Sequence, residues 1–448
     1  MAINNELVVG EILEIVERIR CSERQAIKQI VHKYKITDWK IRGAIHALVF
    51  EIIRKRNAID EIIKYSLKNK GTFQRLELPI KNLLRIGVYE IKFLNKVPAQ
   101  ITNEIVEITK QKFGVNKSRF INILLKSIEK ISFEDIENQL PKNKQLSFKY
   151  FHPSWYIEYL EKILDFDSVL AFLNENNKVP PVYIRANTLK IPINQLIEIL
   201  KDNSVKVEQD ANFPEILKVI KSNRPVTRIK SYKKGLYYIQ TKSSAIVTHV
   251  LDPQPNELIY DICAAPGGKT THIAQLMKNT GKIIALDLSF RRLMELKLKL
   301  DMLNIKNIEL VQADSTKIPM RIKADRVLVD PPCTGTGAYG SRPLSKWKFN
   351  INNLKDFTDL QWKILMSGAS YVKNEGILVY STCSILIEEN ERIVKKFLQK
   401  HPNFKLIPAL PQIGVNGYLD CENCKRLYPH LHESEGFFIA KFQKIEEN

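Results

Sequence analysis

Two cysteines of this sequence stand in short loops whose other residues favour tight turns. One loop is Val329-Asp-Pro-Pro-Cys-Thr-Gly-Thr-Gly337, and the other is Ser381-Thr-Cys-Ser384. Each loop follows an apolar run that is typical of a β-strand, and adjacent strand ends would place Cys333 and Cys383 in one cleft. Structural cysteines are usually buried and inert, whereas reactive thiolates occupy polar, partly exposed positions. The pattern therefore favours a chemically active thiol pair over core packing.

The stretch Asp261-Ile-Cys-Ala-Ala-Pro-Gly-Gly-Lys-Thr270 has the pattern of a strand that enters a tight turn and then a helix. Gly267 and Gly268 let the backbone approach a ligand closely, and the start of the helix offers free N–H groups. The spacing differs from that of a dinucleotide fingerprint and from that of a phosphate-binding loop. We interpret the stretch as the first βα unit of a nucleotide-binding sheet, and the alternative is a plain tight turn in an α/β domain.

Four aspartates lie at or just past the ends of successive predicted strands, namely Asp261, Asp287, Asp314 and Asp330. Ligands of such sheets bind at the carboxyl ends of the strands. A carboxylate after the second strand can hold both ribose hydroxyls, and one after the third can accept a hydrogen bond from an adenine amino group. A single aspartate there is more often a turn or cap residue, but four beside a Gly-Gly turn favour a nucleoside. Because no phosphate-binding lysine motif or metal-ligand cluster accompanies them, we expect S-adenosylmethionine.

From residue 257 onwards strands and helices alternate, which predicts a doubly wound α/β sheet. The predicted strands are 258–261, 282–287, 307–311, 326–330 and 376–381. The predicted helices are 270–278, 290–303, 354–373 and 388–400. Residues 436–442 read as a closing strand, antiparallel at the end of the sheet.

The preceding part of the sequence has two different textures. Residues 1–135 repeat apolar side chains at helical spacing, which predicts an all-helical domain. A linker is expected near residues 136–150. Residues 145–240 combine a helix at 156–173 with a strand at 179–188 and shorter elements, which predicts a small α/β subdomain.

The sequence is strongly basic, with 69 Lys and Arg against 49 Asp and Glu and a net charge of +20 at pH 7. Residues 1–150 hold 28 basic and 17 acidic residues and so contribute +11. Such an excess indicates an anionic partner, most commonly nucleic acid, and the alternative is a solvated charged face. The small subdomain mixes basic residues with tyrosines, which suits RNA contact, although a strand tyrosine is more often packing. These residues are Arg185, Arg224, Arg228, Lys230, Lys233, Lys234, Tyr232, Tyr237 and Tyr238.

Six cysteines are scattered along the sequence, and no apolar run reaches 18 residues. The start lacks the basic and apolar segments of a signal peptide. These features predict a cytoplasmic protein that is neither secreted nor inserted in a membrane. Cys421-Glu-Asn-Cys424 with His430 and His432 is a conceivable zinc site, but the spacing to the histidines is short, so no metal is expected.

The sequence resembles the RNA cytosine-5 methyltransferases, in particular their RsmB (Sun/Fmu) branch. Asp261–Thr270 is similar to the cofactor loop of that family, Asp330–Cys333 to its fourth motif and Thr382–Ser384 to its sixth. The cysteine pair is specific, because DNA cytosine methyltransferases rely on the Pro-Cys motif alone. Other segments similar to RsmB landmarks are His152–Trp155, Arg185–Thr188 and Gly436–Lys441. Those similar to the fused NusB-like domain are Arg85–Glu90, Pro98-Ala99, Asn103-Glu104 and Asn122.

The resemblance covers nearly the whole chain and implies a Rossmann-like class I methyltransferase sheet whose last strand is antiparallel. It implies an all-α NusB-like RNA-binding domain over 1–135, a small α/β RNA-binding subdomain over 145–240 and the S-adenosylmethionine-dependent methyltransferase domain over 241–448. The implied activity is methylation of cytosine C5 in RNA, with small-subunit (16S) ribosomal RNA favoured. Transfer RNA stays open as the substrate, as does an RNA-binding NusB-like protein with an inactive methyltransferase domain. RNA is the expected partner, and neither DNA nor a membrane is expected.

The resemblance also implies residue roles. Cys383 would attack cytosine C6 and form a covalent adduct, Cys333 would assist release of the methylated product, and Asp330 would contact the base near N3. The target base must leave its stack to reach the cleft, which favours single-stranded or looped RNA. The implied cofactor-binding residues are Cys263, Ala264, Ala265, Pro266, Gly267, Gly268, Lys269, Asp287, Asp314 and Asp330.

Two segments depart from the family pattern. The fourth motif usually reads Asp-Ala-Pro-Cys, whereas this chain has Asp330-Pro-Pro-Cys333. Amino-group methyltransferases have Asp-Pro-Pro-aromatic and stack the target base on the aromatic ring, which Cys333 cannot do, so cytosine C5 remains the expected acceptor. Tyr339–Trp347 follows the family only loosely, and the resemblance gives little support to RNA contacts by its residues Arg342, Lys346 and Trp347.

Overall fold

The computed structural model describes residues 4–19 and 21–446, and these form two compact units. Unit 1 extends to Asn177 and also includes Arg342–Lys348. Unit 2 comprises the other residues from Lys178 onwards. Among the described helices, none combines the length and the apolar character that are needed to cross a lipid bilayer.

Unit 1 is helical, as the sequence predicts for its N-terminal part. Its helices are α1 (Asn5–Arg18), α2 (Glu23–Lys33), α3 (Trp39–Arg54), α4 (Arg56–Ser66), α5 (Thr72–Arg75), α6 (Leu78–Lys92), α7 (Pro98–Phe113), α8 (Val115–Glu129), α9 (Phe133–Glu137), α10 (Lys142–Tyr150), α11 (Ser154–Leu160) and α12 (Phe166–Asn176), with α18 (Ser345–Lys348) in the returning segment. Asp38 caps α3 by accepting a hydrogen bond from the Lys40 N–H at 2.7 Å. Apolar residues at helical spacing form one core, in which α1 alone buries Val8, Val9 and Ile12 completely.

Two predictions for unit 1 are wrong. The expected linker at 136–150 is largely helical, because α10 lies within it and buries Phe148 in the core of the unit. The predicted helix at 156–173 is two helices, α11 and α12. Asp165 begins the second by accepting a hydrogen bond from the Ser168 N–H at 2.9 Å, so a helix cap interrupts an otherwise continuous apolar pattern.

Unit 2 begins with a four-stranded antiparallel sheet, as expected for a small α/β subdomain. Its elements are β1 (Val182–Ala186), α13 (Ile193–Asp202), β2 (Val205–Gln209), β3 (Ile216–Ser222), α14 (Lys230–Lys233) and β4 (Tyr237–Ile239). The strand order is β2-β3-β1-β4. Leu196 and Leu200 of α13 pack in one core with Ile184 and Leu217 of the sheet. The observed strand β1 is shorter than the predicted strand at 179–188, because two prolines precede Val182.

The larger sheet of unit 2 has nine strands, and five of them form its parallel centre. Its elements are α15 (Lys242–Leu251), β5 (Leu258–Asp261), α16 (Gly268–Leu276), β6 (Lys282–Asp287), α17 (Phe290–Leu303), β7 (Ile308–Gln312), β8 (Ala324–Val329), α19 (Leu354–Ser370), β9 (Val372–Thr382), α20 (Glu391–Lys400), β10 (Phe404–Ile407), β11 (Val415–Asn416), β12 (Lys425–Leu427), α21 (Pro429–His432) and β13 (Phe437–Lys444). The parallel order is β9-β8-β5-β6-β7, with α15, α16 and α17 packed on the strands. This arrangement confirms the predicted doubly wound sheet and brings the carboxyl ends of the parallel strands to one edge.

The closing strand β13 is antiparallel to β9, as predicted, but it does not lie at the end of the sheet. Its other edge pairs with β12 near its start and with β10 near its end. Phe438, Ala440 and Phe442 of β13 are completely buried. A strand at the edge of the sheet would not bury these side chains completely without the neighbouring strands. The sequence missed β10, β11 and β12 because they are two to four residues long and carry too little periodicity.

The segment Arg342–Lys348 is part of unit 1, although the chain before and after it belongs to unit 2. The Trp347 indole N–H donates to the Ile53 carbonyl at 2.7 Å. Lys346 is only 1% exposed, and its ammonium donates to the Phe151 carbonyl at 3.2 Å. A lysine buried in this way has no surface to offer RNA. The predicted ranges 1–135, 145–240 and 241–448 are finer than the division into two units and stay a prediction.

Candidate active site

The turn between β5 and α16 has one position that only glycine tolerates. Gly267 has a φ of 96°, in the left-handed region, and a Cβ on it would lie 2.1 Å from Leu296 Cδ1. A Cβ on Gly268 would meet its nearest neighbour only at 3.8 Å. The Gly267 N–H donates to the Ala264 carbonyl, and the Ala264 N–H donates to the Leu286 carbonyl of β6, both at 2.8 Å. The backbone of the predicted cofactor loop is thereby fixed at the carboxyl end of the parallel strands.

Arg185 supports this turn from the small sheet instead of facing solvent. Its guanidinium is buried and donates to the Gly268 carbonyl and to Thr271 Oγ1, both at 3.0 Å. Tyr237 is buried as well, and its hydroxyl donates to the Val226 carbonyl at 2.7 Å. Both residues are therefore packing and anchoring residues, contrary to the prediction that they belong to a basic aromatic surface. The exposed basic residues of that predicted surface are Arg224, Arg228, Lys230, Lys233 and Lys234.

Asp261, the last residue of β5, has one carboxylate oxygen with an unmet hydrogen-bonding capacity. Oδ2 accepts a hydrogen bond from the Thr270 hydroxyl at 2.7 Å, whereas the buried Oδ1 has no partner. Burial raises the pKa of Asp261 to about 7. Because buried polar atoms are normally paired, the orphaned oxygen marks a position where a donor or a cation from a ligand would be stabilised.

Asp287 and Asp314, which are predicted to bind the ribose and the adenine amino group, differ in their surroundings. Asp287 is buried at the end of β6 and accepts hydrogen bonds from the Ala265 N–H at 3.1 Å and the Ser289 N–H at 2.9 Å. Asp314 is exposed just past β7, and hydrogen bonds from the Thr316 N–H and hydroxyl lower its pKa. Asp287 thus fastens the cofactor loop to the second strand, while Asp314 occupies a turn at the rim of the same sheet edge.

Asp330 joins the loop after β8 to two neighbouring elements. The Lys269 ammonium donates to Asp330 Oδ2 at 2.7 Å, and the Ser381 hydroxyl donates to Oδ1 at 2.8 Å. Lys269 lies in the first turn of α16 and Ser381 near the end of β9. The carboxylate is therefore held from both sides, and the cofactor loop and the two cysteine loops meet at this residue.

The two predicted cysteines lie together at the same sheet edge. The Sγ atoms of Cys333 and Cys383 are 3.2 Å apart, and both residues are half-buried and free of disulfides. The Gly337 N–H donates to the Cys383 carbonyl at 2.9 Å, which ties the two loops through their backbones. The hydrogen bond with Cys383, together with burial, raises the pKa of the Cys333 thiol. Either sulfur can donate across this contact.

Sequence reasoning missed two residues that act on these loops. Arg185 is predicted to belong to a basic surface, and Glu389 lies within the predicted helix at 388–400 with no role predicted for it. Glu389 is completely buried and accepts hydrogen bonds from residues of both cysteine loops, including the Thr334 N–H at 2.9 Å. The only sequence signal is the polar run at 388–392, which begins three apolar residues after the Thr382–Ser384 motif and does not reveal the partners of Glu389.

One group of side chains in the described part of the chain has the spacing of metal ligands, and it does not include Cys421 or Cys424. It consists of Glu215, His249 and His272. Glu215 Oε1 accepts hydrogen bonds from the two imidazoles, at 2.6 Å from His249 Nε2 and 3.2 Å from His272 Nε2. The buried Nδ1 of His272 has no partner, although metal-bound histidines almost always donate this second N–H. The geometry is that of a hydrogen-bonded triad between the two sheets of unit 2.

Three family models match the chain in consecutive ranges. Residues 8–130 match the NusB family, residues 152–227 match the ferredoxin-like domain of RsmF/B-like methyltransferases, and residues 248–443 match 16S rRNA methyltransferase RsmB/F. The predicted resemblance to the RsmB branch with a NusB-like N-terminal domain is confirmed.

Curated relatives include both ribosomal and transfer RNA enzymes. The chain is 30% identical over 409 residues to "Probable ribosomal RNA small subunit methyltransferase B" of Synechocystis sp., covering 89% of this chain and 90% of the relative. It is 38% identical over 226 residues to the tRNA (cytosine(72)-C(5))-methyltransferase of Pyrococcus horikoshii, covering 50% of this chain and 56% of the relative. The ribosomal relative is thus matched nearly end to end.

Solved structures support the same fold. The crystal structure of the protein PH0851 matches with a TM-score of 0.84 and 31% identity, covering 99% of this chain and all of the other. NSun6 from Pyrococcus horikoshii, solved with the S-adenosylmethionine analogue SFG, matches with a TM-score of 0.61 and 28% identity, covering 66% of this chain and 99% of the other. The predicted methyltransferase fold with its helical N-terminal part is confirmed.

Proposed function

This chain belongs to the RsmB/F family of 16S rRNA methyltransferases, and from that premise we propose that it methylates C5 of a cytosine in small-subunit ribosomal RNA with S-adenosylmethionine as methyl donor. The observation that carries the proposal is the pair of cysteines, whose Sγ atoms lie 3.2 Å apart at the ends of β8 and β9. The pair lies on the same sheet edge as the glycine turn of the cofactor loop. A thiol nucleophile and a nucleoside site therefore face one cleft.

Cys383 is the nucleophile of the proposed reaction. In this reaction the thiol of Cys333 donates to Cys383 Sγ and stabilises a thiolate there. The thiolate forms a bond to cytosine C6, and the electron pair of the C5–C6 double bond moves towards C5. S-adenosylmethionine, when bound, supplies the methyl group that this electron-rich carbon accepts.

Asp330 orients the base during this attack. Lys269 and Ser381 each occupy one of its oxygens, so the side chain cannot rotate freely. Each carboxylate oxygen still has a second lone pair, which can accept a hydrogen bond from the exocyclic amino group beside N3, or from N3 itself once the adduct has taken up a proton there from water. That contact stabilises the adduct, in which electron density has moved through the ring.

Product release reverses the covalent bond. A base, such as a water molecule or a nearby oxygen, removes the proton from C5, and the resulting electron pair restores the C5–C6 double bond as the sulfur leaves C6. Cys333 assists because its thiol is within hydrogen-bond reach of the departing sulfur. The enzyme then returns to a thiol pair with one shared proton.

The cofactor loop fits S-adenosylmethionine. The orphaned Oδ1 of Asp261 lies at the start of a loop in which a Cβ on Gly268 would meet nothing nearer than 3.8 Å, and it would accept from a cationic ammonium such as that of the methionine moiety. Asp287 would hold the ribose and Asp314 the adenine amino group, with the backbone of residues 263–269 lining the pocket. A carboxylate with a pKa raised to about 7 is well suited to meet a ligand cation.

The favoured substrate is ribosomal RNA, because the relative that is matched nearly end to end is a small subunit methyltransferase. Transfer RNA is a second candidate, because the relative with 38% identity acts on it. Incubation of purified protein with total RNA and S-adenosylmethionine labelled on its methyl group separates the two. After the RNA is fractionated by size and digested, we expect 5-methylcytidine in small-subunit RNA. Label in the transfer RNA fraction would change the substrate, and cofactor binding without any labelled RNA would indicate an inactive domain.

A further inference from the structure

The carboxylate of Glu389 is buried between the two cysteine loops and accepts four hydrogen bonds. The residue ends a short 3-10 turn, Ile387–Glu389, that follows the Cys383 loop, and none of its surface is exposed. Its donors are the Thr334 N–H at 2.9 Å, the Thr334 hydroxyl at 2.6 Å, the Gln361 amide at 2.7 Å and the Ser384 hydroxyl. Burying a carboxylate is costly unless it is fully hydrogen-bonded, and this one is.

The donors come from three different parts of the chain. Thr334 is the residue after Cys333, and Ser384 is the residue after Cys383. Gln361 lies on α19, and its side-chain amide also donates to the Pro332 carbonyl, one residue before Cys333, at 3.1 Å. One carboxylate therefore bonds the immediate neighbours of both cysteines and braces them against a helix.

The hydroxyl protons of the network can be assigned from the acceptors. The hydroxyls of Thr334 and Ser384 each donate their single proton to Glu389 Oε2. Thr336 must then be the donor in its 3.0 Å hydrogen bond with Ser384 Oγ, and it accepts from the Ile385 N–H at 3.1 Å. The donor and the acceptor in each of these hydroxyl hydrogen bonds are therefore assigned. The assignment depends on a group at position 389 that only accepts hydrogen bonds.

We propose that Glu389 is a positioning residue that holds Cys333 and Cys383 at the separation that the methyl transfer requires. The inference rests on the proposed function, in which a thiol on Cys333 serves a thiolate on Cys383. Small displacements of reacting groups are expensive, since about 1 Å can cost ~100-fold in rate. A glutamine at this position would point an amide N–H at donors that now share the carboxylate, and the two loops would move apart.

Glu391 provides a matched control two residues along the chain. It is also completely buried, but it pairs with Arg426 at 2.5 Å and accepts from the Tyr418 N–H at 3.0 Å, not from residues of the cysteine loops. A Glu391→Gln substitution therefore removes a buried carboxylate of the same region that accepts from no residue of either cysteine loop, and it also leaves the buried Arg426 guanidinium without its charged partner. If burial alone mattered, Glu389→Gln and Glu391→Gln would act alike.

The spacing of the cysteines can be measured without RNA or cofactor. Phenylarsine oxide condenses with two neighbouring thiols to give two sulfur–arsenic bonds and one water, so it binds tightly only where both sulfurs are held close. Protection of Cys333 and Cys383 from alkylation, read for each cysteine by peptide mass spectrometry, reports its binding at this pair and separates it from Cys421 and Cys424. We expect the full-length protein and Glu391→Gln to bind alike and Glu389→Gln to bind at least ~10-fold more weakly.

Activity gives the second readout. In Glu389→Gln we expect kcat to fall by ~100-fold, with KM for RNA and for S-adenosylmethionine within ~3-fold of the parent. Glu389→Asp, which keeps the charge, should recover part of the loss. Arsenical binding and kcat that match the parent in Glu389→Gln would overturn the proposal. If Glu389→Gln does not fold, Thr334→Val tests the same point by removing one hydroxyl donor, and parent-like arsenical binding and kcat there would overturn it equally.

The two proposals can fail separately. Loss of arsenical binding in Glu389→Gln, in a protein that methylates no RNA, would leave the positioning role standing and contradict the proposed function. If the parent protein methylates RNA, and Glu389→Gln binds the arsenical as tightly as Glu391→Gln does, the proposed function stands and the positioning role is contradicted.

Discussion

The ammonium of Lys269 donates a 2.7 Å hydrogen bond to Asp330 Oδ2, which links the first turn of α16 to the loop that carries Cys333. These two residues are 61 positions apart in the sequence. The contact means that the predicted cofactor loop and the Cys333 loop share one ion pair, and only 12% of the lysine side chain and 25% of the aspartate side chain are exposed.

We expect Lys269→Met to lower kcat/KM by ~10-fold, because Asp330 would then be held by Ser381 alone. Steady-state methylation with a labelled methyl donor measures the change. Lys299→Met is the matched control, since Lys299 also bonds the cofactor loop, at the Pro266 carbonyl, but does not contact Asp330. Equal losses in the two variants would show that loop anchoring, not the ion pair, is what matters.

The two glycines of the cofactor loop should respond differently to alanine. Gly267→Ala forces a Cβ into the left-handed region and to within 2.1 Å of Leu296, so we expect the free energy of unfolding to fall by at least ~2 kcal/mol. Gly268→Ala meets no such contact and should change stability by less than ~1 kcal/mol. Urea unfolding curves decide the matter, and similar midpoints for both variants would contradict the assigned turn geometry.

Acid should destabilise the protein partly through the triad at His272. Burial lowers the pKa of His272 to about 3, whereas the unfolded chain titrates near 6.5. The unfolded state therefore binds more protons between these values, and stability is lost as pH falls from 6.5 towards 3, with a limiting slope of ~1.4 kcal/mol per pH unit. His272→Gln should flatten that limb in urea unfolding at several pH values. The exposed His32→Gln should not, and an unchanged slope in His272→Gln would refute the assignment.

Lys346 should be a cost to stability, not an RNA contact. Burial lowers its pKa well below the usual range, and the unfolded chain binds its proton more readily, so stability rises with pH towards 10.5. We expect Lys346→Met to raise the free energy of unfolding at pH 7 by about 1–2 kcal/mol. RNA affinity and its dependence on salt should stay unchanged, because no phosphate contact is lost. Weaker RNA binding by Lys346→Met, with a smaller dependence on salt, would instead indicate that Lys346 contacts RNA.

Local patterns predicted much of the fold because they recur within single elements. The bounds of β5, β6 and α17 match their predictions, since strand composition, turn residues and a helical period all lie within about a dozen residues. Where a helix cap or a buried face interrupts the pattern, as at Asp165 and Phe148, the prediction fails. At Phe148 tertiary packing overrides a weak local signal, whereas at Asp165 a local helix cap was overlooked within a continuous apolar pattern.

The site was predictable only where its residues carry a motif. Cys333 and Cys383 were placed together because their loops end neighbouring parallel strands, and the 3.2 Å contact agrees. The contacts of Arg185 and Glu389 were not predictable, because their partners lie far away in sequence and a buried charge has no local signature. The unpaired Oδ1 of Asp261 is likewise a property of the folded surroundings alone.

The most direct test of the proposed mechanism asks which cysteine forms the bond to RNA. Parent protein, Cys333→Ala, Cys383→Ala and the double variant would each be incubated with substrate RNA and S-adenosylmethionine, then denatured and separated by gel electrophoresis. We predict that Cys333→Ala accumulates a denaturation-resistant protein–RNA adduct because release is impaired, and that both variants lacking Cys383 form none and transfer no methyl group. Methylation at the parent rate by Cys383→Ala, or an adduct that persists without Cys383, would contradict the account.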